Sequence, residues 1–90
     1  MRLDLFLKVS RICPRRTVAQ KLCDAGVVFV NDSPAKSAHS IKVGDEIEIR
    51  KRNKITRLKV LDVPLKRQTS REEARKLAEV INEREIDSFE

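Results

Sequence analysis

The segment RLDLFLKVSRICPRRTVAQKLCDAG, residues 2–26, encodes two consecutive helices and thereby sets the architecture of the chain. Apolar side chains at Leu3, Phe6 and Leu7 fall on one face of a helix over residues 3–12. Polar side chains recur on another face at positions i, i+4 and i+7, which are Asp4, Lys8 and Arg11. This spacing predicts a short amphipathic helix that turns its apolar face to a core.

A second helix is predicted near Pro14, because proline suits the first turn of a helix, where its missing N–H costs nothing. Val18, Ala19 and Leu22 then form an apolar stripe, and Gly26 is the residue type that closes a helix at its C-terminal end. The chain therefore opens with a helix–turn–helix pair.

The middle of the chain predicts a small, mainly antiparallel sheet. Val27–Val30 is a β-branched and aromatic run, and the following residues 31–34, Asn-Asp-Ser-Pro, are types that turn a chain back. The pair Gly44-Asp45 predicts another turn, in which the Asp45 carboxylate is expected to bond to the local backbone. Alternating polarity predicts two more strands joined by a basic hairpin loop; the strands are Glu46–Arg50 and Arg57–Val60, and the loop is Lys51–Lys54.

A final helix of about four turns is predicted over residues 70–85. Ser70 and Glu73 have capping-box spacing. Apolar residues follow at helical intervals, at Ala74, Leu77, Ala78 and Ile81. The 90 residues leave room for one small core, so we expect an α+β module over residues 1–62, followed by a linker and C-terminal helix over residues 63–90.

The charge of the chain is segregated along its length. Residues 1–70 hold 16 basic and 7 acidic side chains, whereas residues 71–90 hold 4 basic and 7 acidic ones, for a total of +6. A basic body with an acidic tail favours a nucleic-acid partner over a uniformly solvated surface. Few side chains can stack on unpaired bases, because Phe6, Phe29 and Phe89 are the only residues among Phe, Tyr and Trp.

Six basic side chains fall within or beside the two predicted helices: Arg2, Lys8, Arg11, Arg15, Arg16 and Lys21. A compact fold brings several of them onto one surface, where the planar arginine fork can bind phosphate oxygens in pairs. The N-terminus of the second helix adds backbone N–H groups nearby. The hairpin-loop residues Lys51, Arg52 and Lys54 are weaker candidates, because a charged loop is commonly only solvated.

The sequence contains no recognisable catalytic or metal-binding motif. Cys13 and Cys23 lie ten residues apart and His39 is the only histidine, so neither a CxxC redox pair nor a zinc set can be assembled, and we expect free thiols and a surface histidine. No nucleophile–base pair or glycine-rich phosphate loop is recognisable. We therefore expect no catalytic residue, metal or cofactor. No apolar run approaches the ~20 residues of a membrane span, and the expected location is cytoplasmic.

Several spaced motifs, in one order, resemble the S4-type RNA-binding domain. They are Arg2-Leu3-Asp4 with Phe6-Leu7, Ser10-Arg11, Arg15-Arg16-Thr17 with Ala19, Gly26-Val27-Val28 to Val30-Asn31-Asp32, and Val43-Gly44-Asp45-Glu46-Ile47. The resemblance covers residues 1–62 and implies that the helical pair and adjacent sheet grip structured RNA, with Arg2 and Arg16 as leading contacts. Asp32 stands where the family's turn usually has glycine, so we expect a different turn geometry there.

Among stand-alone members of this family, the whole chain is similar to bacterial ribosome-associated quality-control factors. That likeness implies binding to large ribosomal subunits obstructed by peptidyl-tRNA, with contacts to ribosomal RNA and tRNA. It also implies stabilisation of the P-site tRNA and support of alanine tailing by RqcH, the protein that delivers alanyl-tRNA. We expect a ribosome-associated monomer.

Two other interpretations remain open at this point. One keeps RNA binding but makes the chain a heat-shock-type factor for recycling or assembling large subunits. The other is a protein-interaction adaptor, in which an acidic helix over Glu72–Glu90 docks a basic partner and the basic body is only solubilising.

Overall fold

The computed structural model describes residues 1–64 and 69–85. Within them, one five-stranded sheet has the order β2-β1-β3-β4-β5, with every neighbouring pair antiparallel. The elements in chain order are α1 (Leu3–Val9), α2 (Arg16–Asp24), β1 (Val28–Val30), β2 (Ser33–Pro34), β3 (Glu46–Lys51), β4 (Lys54–Val60), α3 (Arg71–Arg75) and β5 (Ala78–Glu85). The predicted α+β class, with a helical pair on a mainly antiparallel sheet, is confirmed.

One face of the sheet and the apolar faces of α1 and α2 form the core. Alternate strand residues are buried, as the period of two requires: Val28, Val30, Ile47, Ile49, Leu58 and Val60. From the helices, Leu3, Phe6, Leu7 and Ala19 are completely buried. Each large apolar side chain in this layer stabilises the fold by roughly 1.5–3 kcal/mol through burial. The core therefore fixes the two helices, and the basic residues on them, against the sheet.

The turn between the helices is longer than the sequence suggested. α1 ends at Val9, and Arg11 adopts a left-handed backbone with φ 61°. The Cys13 N–H bonds back to the Leu7 carbonyl at 2.9 Å, so the turn folds onto α1. The prediction of Pro14 in the first turn of α2 was wrong, because Arg15 is the extended N-cap residue and the helix begins one residue later.

Gly26 closes α2 as predicted. Its φ is 76°, and its N–H bonds to the Cys23 carbonyl while the Val27 N–H bonds to Leu22. This pair of bonds is a Schellman motif, which needs a residue that tolerates the left-handed conformation. The chain leaves the helix here and enters β1 directly.

The β1–β2 turn corrects one expectation. Asn31 and Asp32 have φ values of 50° and 69°, so Asp32 adopts the left-handed conformation for which glycine is favoured. The expectation of a different geometry was wrong, because aspartate tolerates this region better than most residues. Its carboxylate also forms an ion pair with Arg57.

The Gly44-Asp45 turn agrees with its prediction. Gly44 has φ 93°, and the buried Asp45 carboxylate accepts from the Lys42 N–H at 3.1 Å and the Asn31 amide at 3.2 Å. Asp45 is therefore a structural residue that ties two turns together.

The C-terminal helix is present but short. The predicted capping box forms, with Ser70 Oγ accepting from the Glu73 N–H at 3.1 Å and Glu73 Oε1 accepting from the Ser70 N–H at 3.2 Å. The helix ends at Arg75, so the prediction of continued helix over residues 78–85 was wrong. That segment is β5, the partner of β4.

Residues 78–85 form a strand because β4 has an open edge with which they can pair. The Leu61 N–H bonds to the Leu77 carbonyl at 2.7 Å, which turns the chain and aligns the next residues with β4. Val80 and Ile81 are β-branched, and the strand that contains them satisfies the backbone groups of β4. The division at residue 62 stays a prediction. Residues 65–68 of the predicted linker, and residues 86–90 of the predicted Glu72–Glu90 helix, lie outside the described residues.

Candidate nucleic-acid interface

At the centre of the candidate interface is the carboxylate of Asp4, which the sequence pattern placed on a polar helix face. Asp4 lies in the first turn of α1, and its side chain is 0% exposed. It accepts hydrogen bonds from the Leu5 N–H at 2.8 Å and from the Gln20 amide at 2.9 Å. It also accepts from Arg2 and Arg16, each at 3.2 Å. These donors compensate the loss of water around the buried charge.

The donors also set the ionisation of Asp4. Burial acts to raise its pKa, but the hydrogen bonds from Gln20, Arg16 and the Leu5 N–H outweigh burial and hold the pKa below its ordinary value of 3.8. Asp4 is therefore a carboxylate at neutral pH, and the bonds to both arginines are charge-assisted.

Arg2 and Arg16 are brought together from different helices. Arg2 is the N-cap residue of α1 and Arg16 is the first residue of α2. Their side chains are 49% and 35% exposed, and both lie against the same carboxylate. Within the described residues Arg16 bonds through Nε alone, which leaves its two Nη groups for an external acceptor. Asp4 thus holds both guanidinium groups in place, and its single negative charge balances only one of their two positive charges.

Two of the other predicted residues line a surface cleft of about 440 Å³. Its lining includes Lys8 and Arg11, together with Cys13, Pro14 and Thr69. Arg11 Nη2 donates to the Thr69 carbonyl at 2.8 Å. Arg11 therefore also holds the C-terminal segment against the end of α1.

The remaining helical candidates are more dispersed. Arg15 is the exposed N-cap of α2, and Lys21 is exposed in the last turn of that helix. Lys21 is five positions from Arg16 and so lies on a different part of the helix surface. The structure thus concentrates the predicted basic surface at Arg2 and Arg16 and at the cleft.

The hairpin-loop candidates lie at the β3–β4 turn. Lys54 pairs with Glu83 at 3.2 Å, whereas Lys51 and Arg52 are exposed. Burial raises the pKa of the Cys13 thiol, and the nearby positive charge of Lys51 opposes that increase. Lys51 follows Ile49 by two residues in β3, so it lies on the face of the sheet that carries the core.

Sequence reasoning missed Asp4 and Gln20 as parts of this site. A carboxylate next to Leu3 and Leu5 was a usable signal, because a charge inside an apolar run needs a partner when it is buried. Gln20 is four residues after Arg16 on the same helix face, which is the spacing of side chains that share one acceptor.

The described residues hold no group of His, Cys, Asp and Glu suited to a metal ion. Cys13 and Cys23 are buried free thiols, as expected, and His39 is exposed. No helix in residues 1–64 and 69–85 has the length and apolar character needed to cross a membrane.

The fold and its helical basic surface correspond to a known class of module. Residues 1–47 match the family model described as the S4 domain. The solution structure of the hypothetical protein HP1423 superposes with a TM-score of 0.80 at 28% identity, over 91% of this chain and 98% of that one. The trimeric structure of Vibrio cholerae heat shock protein 15 superposes with a TM-score of 0.78 at 25% identity, over 89% of this chain and 80% of that one.

Relatives that align with nearly the whole chain show which S4-domain proteins it is similar to. The RQC P-site tRNA stabilizing factor of Streptococcus pneumoniae is 46% identical over 97% of both chains. The factor of the same name from Halalkalibacterium halodurans is 42% identical over the whole of both chains, and that of Bacillus subtilis is 38% identical over 96% of this chain and 98% of the relative. The chain therefore belongs to the S4-domain family of RQC P-site tRNA stabilizing factors, the RqcP family, as its resemblance to quality-control factors predicted.

Proposed function

We propose that the chain is a non-enzymatic RNA-binding factor of ribosome-associated quality control. It binds large ribosomal subunits that are obstructed by peptidyl-tRNA, contacts both ribosomal RNA and the tRNA, and stabilises that tRNA in the P site. The observation that carries this proposal is the pair Arg2 and Arg16, held half-exposed on one buried carboxylate. The name of the related factors, which specifies a P-site tRNA, supports the choice of RNA.

The geometry suits phosphate recognition for two reasons. Arg16 is fixed through Nε, so its Nη groups can approach two phosphate oxygens with little further loss of side-chain freedom. Arg16 also begins α2, where unpaired backbone N–H groups and the positive end of the helix dipole favour an anion. Arg2 adds a second fork beside it.

In this proposal the protein contributes binding and positioning. Two arginines on a rigid helical pair hold the RNA backbone in a fixed place, and peptide transfer belongs to the ribosome. A tRNA retained in this way supports alanine tailing by RqcH, which brings alanyl-tRNA to the same subunit. Lys8, Arg11, Arg15 and Lys21 support the contact by charge, and Lys51, Arg52 and Lys54 are secondary candidates.

The test is co-sedimentation with purified large subunits that carry peptidyl-tRNA. Arg16→Ala should weaken binding by ~1–3 kcal/mol if the arginine makes a charge-assisted contact. Lys59→Ala is the matched control, because it removes the same formal charge from the sheet face that points away from the helices. Equal affinities of Arg16→Ala and Lys59→Ala at low and moderate salt would contradict the assignment.

One observation favours a second candidate. The similarity to heat shock protein 15 fits a factor that recycles or assembles large subunits. Comparison of obstructed, empty and assembling subunits separates the two functions: the quality-control factor prefers the obstructed subunit, whereas an assembly factor prefers an immature one. The adaptor alternative loses support, because residues 78–85 of the segment that it requires as a helix form the strand β5.

A further inference from the structure

A second group of arginines surrounds a cleft at the other end of α1. The cleft has a volume of about 300 Å³ and lies between the interhelical turn and α3. Its lining includes Ser10, Arg11 and Ile12 from the turn, and Arg71, Ala74 and Arg75 from α3. We call it the α3 cleft. α1 has seven residues, so its two ends are separated by roughly 10 Å along the axis.

The helical spacing of α3 turns its positive charges into this cleft. Arg71 and Arg75 are four residues apart and therefore share one face of the helix. Glu72, which falls between them, does not line the cleft. Glu73 is engaged in the capping box at the start of the helix.

These arginines differ in their partners from Arg50 and Arg57 on β3 and β4. Arg57 forms ion pairs with Asp32, Glu46 and Glu48, and Arg50 pairs with Glu48 at 2.5 Å. In the described part of the chain, the cleft arginines form no ion pair with a carboxylate. These are Arg11, Arg71 and Arg75. Their positive charge is therefore available to an external anion, whereas that of Arg57 is neutralised within the fold.

The α3 cleft lies next to the larger cleft beside Lys8, because Arg11 lines both. Two bonds hold this junction together: Arg11 Nη2 donates to the Thr69 carbonyl, and Thr69 Oγ1 donates to the Val9 carbonyl. The two neighbouring clefts thus place Lys8, Arg11, Arg71 and Arg75 near the end of α1, and the lining of the α3 cleft includes the apolar residues Ile12 and Ala74.

We propose that the α3 cleft binds the sugar-phosphate backbone of a second RNA segment, separate from the segment bound by Arg2 and Arg16. This inference rests on the proposed function and assigns it a second contact surface. Arginine side chains without carboxylate partners suit phosphate oxygens, and the apolar lining residues suit the ribose carbons. Two RNA surfaces at opposite ends of α1 allow one small protein to bridge two RNA elements.

The experiment measures the salt dependence of binding to large subunits that carry peptidyl-tRNA. The variant is Arg71→Gln with Arg75→Gln, and the matched control is Lys59→Gln with Arg84→Gln, which removes the same charge from exposed positions of the sheet. The loss of two phosphate contacts should reduce the slope of log K against log salt by roughly 1.4–1.8 and weaken binding on the order of tenfold or more at 0.1 M salt. The control should keep the wild-type slope.

A photoreactive amino acid at position 75 identifies the occupant, and the same group at position 16 serves as the reference. Crosslinks from position 75 to an RNA segment different from the one reached by position 16 support the proposal. A crosslink to protein only, or equal salt slopes for the cleft variant and the control, overturns it while the proposed function stands. Failure of the wild-type chain to bind these subunits overturns both. Thermal unfolding of each variant confirms that the fold is kept.

Discussion

At the scale of single residues, Asp4 connects the stability of the fold with the proposed RNA interface. A buried carboxylate is costly unless its oxygens are bonded, and here five donor groups from four residues approach it. Two of those residues are the arginines of the proposed interface. The same bonds that stabilise the charge therefore hold Arg2 and Arg16 in place before any RNA arrives.

Asp4→Asn should lower the free energy of unfolding at pH 7 by ~1–3 kcal/mol, because the amide cannot accept from every donor that the carboxylate satisfies. The folded pKa of Asp4 is depressed, so the unfolded state binds more protons in the acid range. The stabilisation is present above the unfolded pKa and is lost as the pH falls through the folded value. Urea unfolding of both proteins between pH 7 and pH 3 should show their difference shrinking below about pH 4. A constant difference would contradict this role for Asp4.

Asp32 combines a cost and a gain at one position. Its left-handed backbone is strained, but its carboxylate pairs with Arg57. Asp32→Gly relieves the strain and loses the ion pair, so we expect a change in unfolding free energy within about 0.5 kcal/mol of zero. Asp32→Ala keeps the strain and loses the pair, and should destabilise the fold by ~1 kcal/mol. Thermal unfolding compares the two; equal effects would show that the turn conformation carries no strain.

At the scale of elements, the structure makes residues 78–85 the strand β5, whereas the sequence pattern predicted a helix there. Arg57 lies opposite Asn82 in the β4–β5 ladder, which places their backbones within reach of nuclear Overhauser effects. A helix would instead give contacts between Ala78 and Asn82. We expect strong cross-strand effects in the NMR spectra of the full chain, with the helical pattern of α2 as an internal reference. Helical contacts throughout residues 78–85 would contradict the strand.

The sequence correctly predicted the elements that are determined by residues close together in the chain. Periodicity located α1, glycine located the end of α2, and alternation located β3 and β4. The conformation of residues 78–85 is not determined by nearby residues alone. Their apolar side chains have helical spacing, but they also fit a strand when the edge of β4 is available for pairing. The candidate site follows the same division: charge made Arg2 and Arg16 two of six basic candidates, and the family resemblance placed them first. The carboxylate that joins them became visible only when two helices were packed together.

At the scale of the whole molecule, the exposed edge of the sheet bears on assembly. β5 ends the sheet, and Val80 and Ile81 are exposed on it. Unpaired edge strands favour pairing between copies, but charged side chains on an edge oppose it. Glu79, Glu83 and Glu85 supply such charges, and Arg84 is the single basic residue of the strand. Two copies joined edge to edge would bring these carboxylates toward each other.

We therefore predict a monomer in solution, although the superposed heat shock protein 15 structure is described as trimeric. Sedimentation equilibrium of the full chain near neutral pH should give a mass close to 10.4 kDa across a range of protein concentrations. Glu79→Gln with Glu83→Gln removes two of the repelling charges, and it should raise the tendency to associate because the apolar residues of β5 then face less repulsion. Arg71→Gln with Arg75→Gln, which changes charge away from this edge, is the control and should stay monomeric. A wild-type mass near three times the monomer value would contradict the prediction and place a subunit interface on this chain.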